Sequence, residues 1–182
     1  MKNFYIIVAC TKDGGIGKDG TIPWHLPPDF EYFRRLTTET LDRSRQNAVI
    51  MGRNTWNSLP KRPLKGRRNI VLTSSKDVSG IIAEGGEVHG CLDDALYHLS
   101  MDEKVEKIFV IGGERVYREA IDNPLCECVF ATMIENADGY DCDTFFPIQK
   151  LTTDRFVYSG STFGMEYDKI SYSYLRFWRK II

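Results

Sequence analysis

The chain has 182 residues, 42% of them hydrophobic and 27% charged, which is enough apolar material for one globular core and too much for a disordered chain. Its 24 basic and 25 acidic side chains are spread along the sequence and leave a net charge of −1, so neither nucleic acid nor an anionic membrane surface is expected as a partner. Five cysteines, at 10, 91, 126, 128 and 142, lack metal-ligand spacing. No metal is expected, and the thiols suit a reducing, cytoplasmic compartment.

The first apolar run, residues 4–10, is too short to cross a membrane and reads as a strand. A Gly-rich stretch follows, and residues 15–20 formally match the dinucleotide fingerprint G-x-G-x-x-G. The fingerprint requires a helix opening at its end, but the prolines of "TIPWHLPPDF" delay any helix to about residue 27. The next strand also ends in Gly52 and Arg53, without the expected acid. The stretch therefore reads as a flexible loop of the kind that serves as a lid.

A helix is predicted over 28–38, with Pro27 and Pro28 at its first turn. Asp29, Phe33 and Leu36 then share one face. Asp29 has two readings, a surface acid complementing the helix dipole or a desolvated acid in an apolar stripe. Burial can shift a pKa by about 3–5 units against less than one for the dipole, so a buried stripe would raise the pKa of Asp29.

Further strands are expected at 47–52, 69–73, 107–111 and 127–134, with helices at 54–59, 92–100 and 114–121. Cys126 and Cys128 sit two apart in an apolar run and so share one face of a strand, as buried thiols. "VIGGERVY" at 110–117 places two glycines between a strand and a helix, which suits either a bound pyrophosphate or tight strand–helix packing. Two final strands, 154–163 and 170–180, have a Gly- and Asp-containing turn between them instead of a helix. The fold class expected is α/β, a single domain over 1–182 whose mostly parallel central sheet is flanked by helices and closed by an antiparallel C-terminal hairpin.

Four stretches, "IVACTKDGGIGKDGTIPWHLPPDFEYF", "VIMGRNTWNSLPKRPLKGRRNIVLTSS", "VIGGERVYREA" and "DCDTFFP", together resemble the dihydrofolate reductase family in order and spacing. The resemblance covers residues 4–180, thinning over 75–106 and after 148. It implies NADPH-dependent reduction of dihydrofolate to tetrahydrofolate, inhibition by antifolates such as methotrexate, and a monomeric state. Asp29 matches the family's pterin-binding acid, and Trp24 and Thr132 match residues that hold it and a water, which makes these three the catalytic set. Ile7, Val8 and Ala9 match the strand beside the pterin, and Leu26, Phe33, Leu59 and Leu64 its apolar walls. Arg67 matches the arginine that takes the substrate's α-carboxylate, a role suited to a bidentate guanidinium.

On the cofactor side the resemblance implies contacts from Ala9, and from Ile16 and Gly17 of a lid over 14–24. It adds the turn of Gly52, Arg53, Asn54 and Thr55 and the strand end of Leu72, Thr73, Ser74, Ser75 and Lys76. A third group is Ile111, Gly112, Gly113, Glu114, Arg115, Val116 and Tyr117, with a cis bond between the two glycines. A basic, hydroxyl-rich strand end favours a 2′-phosphate over a bare ribose. Lys76 stands one place beyond the usual phosphate arginine, and His25 follows Trp24 as a loop residue. Two rivals share the cofactor side: a riboflavin-pathway reductase, which would lack the Asp29 and Arg67 contacts, and a non-catalytic dinucleotide-binding module, whose substrate side would have decayed. The sequence is compatible with a longer protein in which this chain is fused, for example, to thymidylate synthase.

Overall fold

A computed structural model describes residues 1–135, 140–153 and 155–180. In chain order the elements are β1 (Phe4–Thr11), β2 (Gly15–Gly17), α1 (Pro27–Thr38), β3 (Gln46–Gly52), α2 (Arg53–Ser58), β4 (Arg67–Leu72), α3 (Ser79–Ala83) and β5 (Glu87–His89). They continue with α4 (Leu92–Met101), β6 (Val105–Val110), α5 (Glu114–Asp122), β7 (Cys126–Ile134), β8 (Thr144–Phe145), a 3-10 turn (Ile148–Thr152), β9 (Phe156–Tyr167) and β10 (Ile170–Arg179). Eight strands form one sheet in the order β5-β4-β3-β6-β1-β7-β10-β9. Pairing is parallel from β5 to β7, and β10 and β9 then add antiparallel.

The mostly parallel sheet and its C-terminal hairpin are therefore as the sequence indicates. The hairpin turns at Asp168 and Lys169, both at positive φ (46° and 64°). The expected strand start at 154 lies outside the described residues, and the strand runs on past 163 to Tyr167. The short elements β2, β5, β8, α3 and the 3-10 turn lie outside the elements the sequence indicates. Pieces of two to five residues are too brief for a period to register.

The inner strands are apolar throughout because both faces of the sheet are covered. In β1, Phe4, Ile6, Val8 and Cys10 pack with α4 and α5, while Ile7 on the opposite face packs with Trp56 of α2 and Ile81 of α3. Burying Trp56, 1% exposed, supplies about 4–6 kcal/mol of transfer free energy to that second layer. Cys126 and Cys128 are fully buried, and burial pushes both thiols up to about 12, so they are inert at neutral pH. Among the described residues no helix is long and apolar enough to cross a membrane.

Candidate active site

Pro27 and Pro28 open α1 after Leu26, and Asp29 follows within the first turn, its own N–H donating to the Leu26 carbonyl at 3.0 Å. The Asp29 carboxylate reaches across to the sheet and accepts the Thr132 hydroxyl at 2.6 Å. Thr132 lies on β7, flanked by Ala9 of β1 and Tyr174 of β10, so the acid is registered against the middle of the sheet. Trp24 and Leu26, 5% and 1% exposed, close the site from the side. The Trp24 ring meets Tyr140 edge-on at 5.5 Å. Tyr174 donates to the Pro28 carbonyl at 3.3 Å and lays its ring 4.1 Å from that of Tyr32.

Burial raises the Asp29 pKa from 3.8 to about 6, against the opposing pull of the Thr132 hydrogen bond. Of the two sequence readings, the desolvated acid is the one the structure bears out. A carboxyl titrating near neutrality in a specific pocket is suited to holding and passing a proton.

The same helix continues into an apolar wall. Phe33, Leu36, Leu59, Leu64 and Ile111 are partly buried against the cluster containing Ile7 and Trp56. At the far end of α1 the Thr37 hydroxyl accepts Arg67 Nη1 at 2.8 Å, while Arg67 Nε reaches the Lys65 carbonyl at 3.2 Å. The guanidinium also lies 5.7 Å from the Phe33 ring centre. Alternation along β4 turns Arg67, 9% exposed, towards this layer, along with Asn69 and Val71. Burial, and then repulsion from Arg34, lower the Arg67 pKa. Among the described residues no carboxylate forms an ion pair with it, and a buried cation with only neutral partners is a ready receptor for an anion.

The second set of residues collects where β3, β4 and β6 end. The Gly52 N–H donates to the Gly112 carbonyl at 2.8 Å and the Ile111 N–H to the Ile50 carbonyl at 2.9 Å, joining two turns at one sheet edge. Ligands of open α/β sheets bind at such carboxyl ends of strands. The Gly112–Gly113 bond is cis, as the resemblance implies. At Gly112, with φ of 108°, an added Cβ would stand 2.7 Å from the Tyr117 ring, whereas at Gly113 it would approach only Thr55 Oγ1, at 3.2 Å. This turn thus presents bare backbone ahead of α5, the arrangement a pyrophosphate requires. Arg53 donates to the Asp77 carbonyl at 3.3 Å, and Ser74, Ser75 and Lys76 are exposed beyond β4.

Not every expected residue presents its side chain. Val8 faces the α4–α5 core, which leaves only its backbone on the side of the sheet where Ile7 packs. Val116 packs 3.3 Å from where a Gly52 Cβ would be. The Glu114 carboxylate is occupied by the Phe145 N–H at 3.0 Å and by Arg118 at 2.7 Å, which leaves its backbone for a ligand. Tyr117 is buried and donates to the Ile7 carbonyl at 2.9 Å, linking the glycine turn to β1. His25 is exposed, its ring 6.1 Å from that of Phe30.

The Gly-rich loop is a paired structure. β2 pairs antiparallel with β8, and Lys18 bridges to Thr21 through a turn in which Asp19 and Gly20 have positive φ. Asp143 fastens it twice, its N–H donating to the Gly17 carbonyl at 3.0 Å and its carboxylate accepting the Asp19 N–H at 2.9 Å. No helix opens at Gly20, so the dinucleotide fingerprint fails in structure as well. The sequence reading missed Thr37, Tyr140, Asp143 and Tyr174. Only Thr37 carried a local signal, standing four residues beyond Phe33 on the Asp29 stripe.

The family model described as dihydrofolate reductase matches residues 3–179. The chain is 39% identical over 184 residues to a bifunctional dihydrofolate reductase-thymidylate synthase of Glycine max, covering 98% of this chain and 34% of that protein. It is 41% identical over 145 residues to dihydrofolate reductase of Heliothis virescens, covering 78% and 77% of the two chains. With dihydrofolate reductase of Drosophila melanogaster it shares 40% over 149 residues, or 81% and 80%. The chain spans about a third of the length of the bifunctional plant relatives.

Proposed function

Since this chain belongs to the dihydrofolate reductase family, we propose that it reduces 7,8-dihydrofolate to 5,6,7,8-tetrahydrofolate with NADPH. The observation that carries this reading is the pair of polar groups at the two ends of one apolar helix face. Asp29 lies at its start, and Thr37, which holds Arg67, lies eight residues on, or about 12 Å along the axis. The spacing suits an elongated ligand with N–H donors on a flat ring at one end and a carboxylate at the other. It speaks against the riboflavin-pathway reductase and against a decayed substrate side.

In this reading the Asp29 carboxylate accepts hydrogen bonds from the pterin's 2-amino group and N3, while the Thr132 hydroxyl fixes its orientation. Phe33, Leu59 and Leu64 exclude water from the ring, and Arg67 clamps the α-carboxylate. NADPH supplies the hydride, which goes to C6. Asp29, able to hold a proton near neutrality, supplies one to N5 directly or through water. Trp24 closes the site beside the acid. The bare Gly112–Gly113 backbone suits the pyrophosphate, and Arg53, Thr55, Ser74 and Lys76 suit the 2′-phosphate end.

The proposal extends to antifolates such as methotrexate, whose basic ring would pair with Asp29. It also takes residues 1–182 as one monomeric, cytoplasmic domain without nucleic-acid or membrane partners. Dihydrofolate-dependent loss of NADPH absorbance, much slower with NADH, is the expected result. NADPH binding without any turnover would reduce the chain to a dinucleotide-binding module.

A further inference from the structure

Two of the chain's three histidines contact one carboxylate beside the β4 strand end, where the His89 carbonyl accepts the Thr73 N–H at 3.0 Å. His89 ends β5, while Asp94 and His98 stand four residues apart on α4 and so face the same way. His89 Nδ1 is 2.7 Å from Asp94 Oδ2, and His98 Nε2 is 3.3 Å from Asp94 Oδ1. The two imidazole rings are 5.3 Å apart, and one ligand atom from each of the three residues lies within 4.8 Å of the others.

We propose that His89, Asp94 and His98 bind a single divalent transition-metal ion of the zinc class. Tetrahedral zinc with ligands at about 2.1 Å sets its ligand atoms about 3.4 Å apart. With one atom taken from each residue the separations run up to 4.8 Å, and turning His98 towards the Asp94 oxygen that faces His89 closes the longest gap. His98 is the group free to turn, its side chain 60% exposed against 15% for His89. Neutral His89 would take the ion on Nδ1 as the tautomer that carries its proton on Nε2, so the ring stays uncharged. Asp94 supplies a carboxylate oxygen to each imidazole and can give one of them to the ion. Two imidazoles and one carboxylate select zinc, nickel or copper over magnesium and calcium, and leave a fourth position for water. A surface His–Asp hydrogen bond needs only one imidazole, whereas here two elements each aim one at opposite oxygens of the same carboxylate. The proposal is independent of the reductase reading.

The test is calorimetric titration of the chelator-treated, thiol-reduced chain with zinc chloride, with magnesium chloride as control. Exposed Cys91, two residues from His89, is the obvious competing ligand. The expected result is one zinc per chain, weakened about tenfold or more in His98→Ala and Asp94→Asn, unchanged in Cys91→Ser, with no heat from magnesium. Both His98 and Asp94 are exposed, and thermal melts without metal confirm that the variants fold. Loss of binding in Cys91→Ser with retention in His98→Ala would assign the ion to thiols and overturn the site. Absence of one-to-one binding would leave a hydrogen-bonded surface triad.

Discussion

Replacing Asp29 with Asn should stabilise the protein at alkaline pH while impairing it as a catalyst. Raising the carboxyl from 3.8 to about 6 means that the folded state resists its ionisation. The stability associated with the protonated form is fully present below about pH 4 and is lost as pH rises through about 6. At one pKa unit per 1.36 kcal/mol, the ionised acid costs the native state about 3 kcal/mol at most. Because Asp29 is only half-buried by surface exposure, solvent screening reduces this to about 1–2 kcal/mol. Asn keeps an oxygen to accept the Thr132 hydroxyl, so little else changes. Thermal melts at pH 8 should place Asp29→Asn about 2–8 °C above the parent, the difference vanishing near pH 4. A variant equal or inferior in stability at pH 8, or a difference that ignores pH, would refute desolvation as the cause.

Other perturbations test the remaining contacts. Arg67→Leu should raise KM for dihydrofolate by about 30-fold or more, as loss of a buried charge pair implies, with a smaller effect on kcat. Steady-state kinetics separates the two, and an unchanged KM would remove Arg67 from the substrate site. Gly112→Ala forces a Cβ to 2.7 Å from the Tyr117 ring at positive φ, so it should cost about 2 kcal/mol or more in urea unfolding and weaken NADPH binding. Asp143→Ala removes the acceptor for the Asp19 N–H on an exposed loop. Turnover should fall several-fold with the melting temperature almost unmoved, and a large drop in melting temperature would make Asp143 a general stabiliser instead.

The features legible in the sequence are those with a local period. The inner strands, the α1 stripe of Asp29 and Phe33, and the closing hairpin all follow from spacing within a few residues. What completes the site is remote in sequence. Thr132 meets Asp29 across 103 residues and Arg67 meets Thr37 across 30, well beyond the roughly 11–18 residues over which a period registers. Arg67 and Arg68 are adjacent, and only the alternation of β4 turns the first to the α1 layer and leaves the second to pair with Glu87. The resemblance indicated Arg67, but composition and period could not. The pairing of the Gly-rich loop was hidden for the same reason, because its partner β8 is two residues long and lies far down the chain.

The central claim is that Asp29 provides the proton for reduction, and the pH dependence of single-turnover hydride transfer tests it most directly. The parent should remain fast at neutral pH, while Asp29→Asn should be much slower there and recover as acid protonates the substrate from solution. A variant with the parent's rate and pH profile would contradict the assignment of Asp29 as the source of the proton.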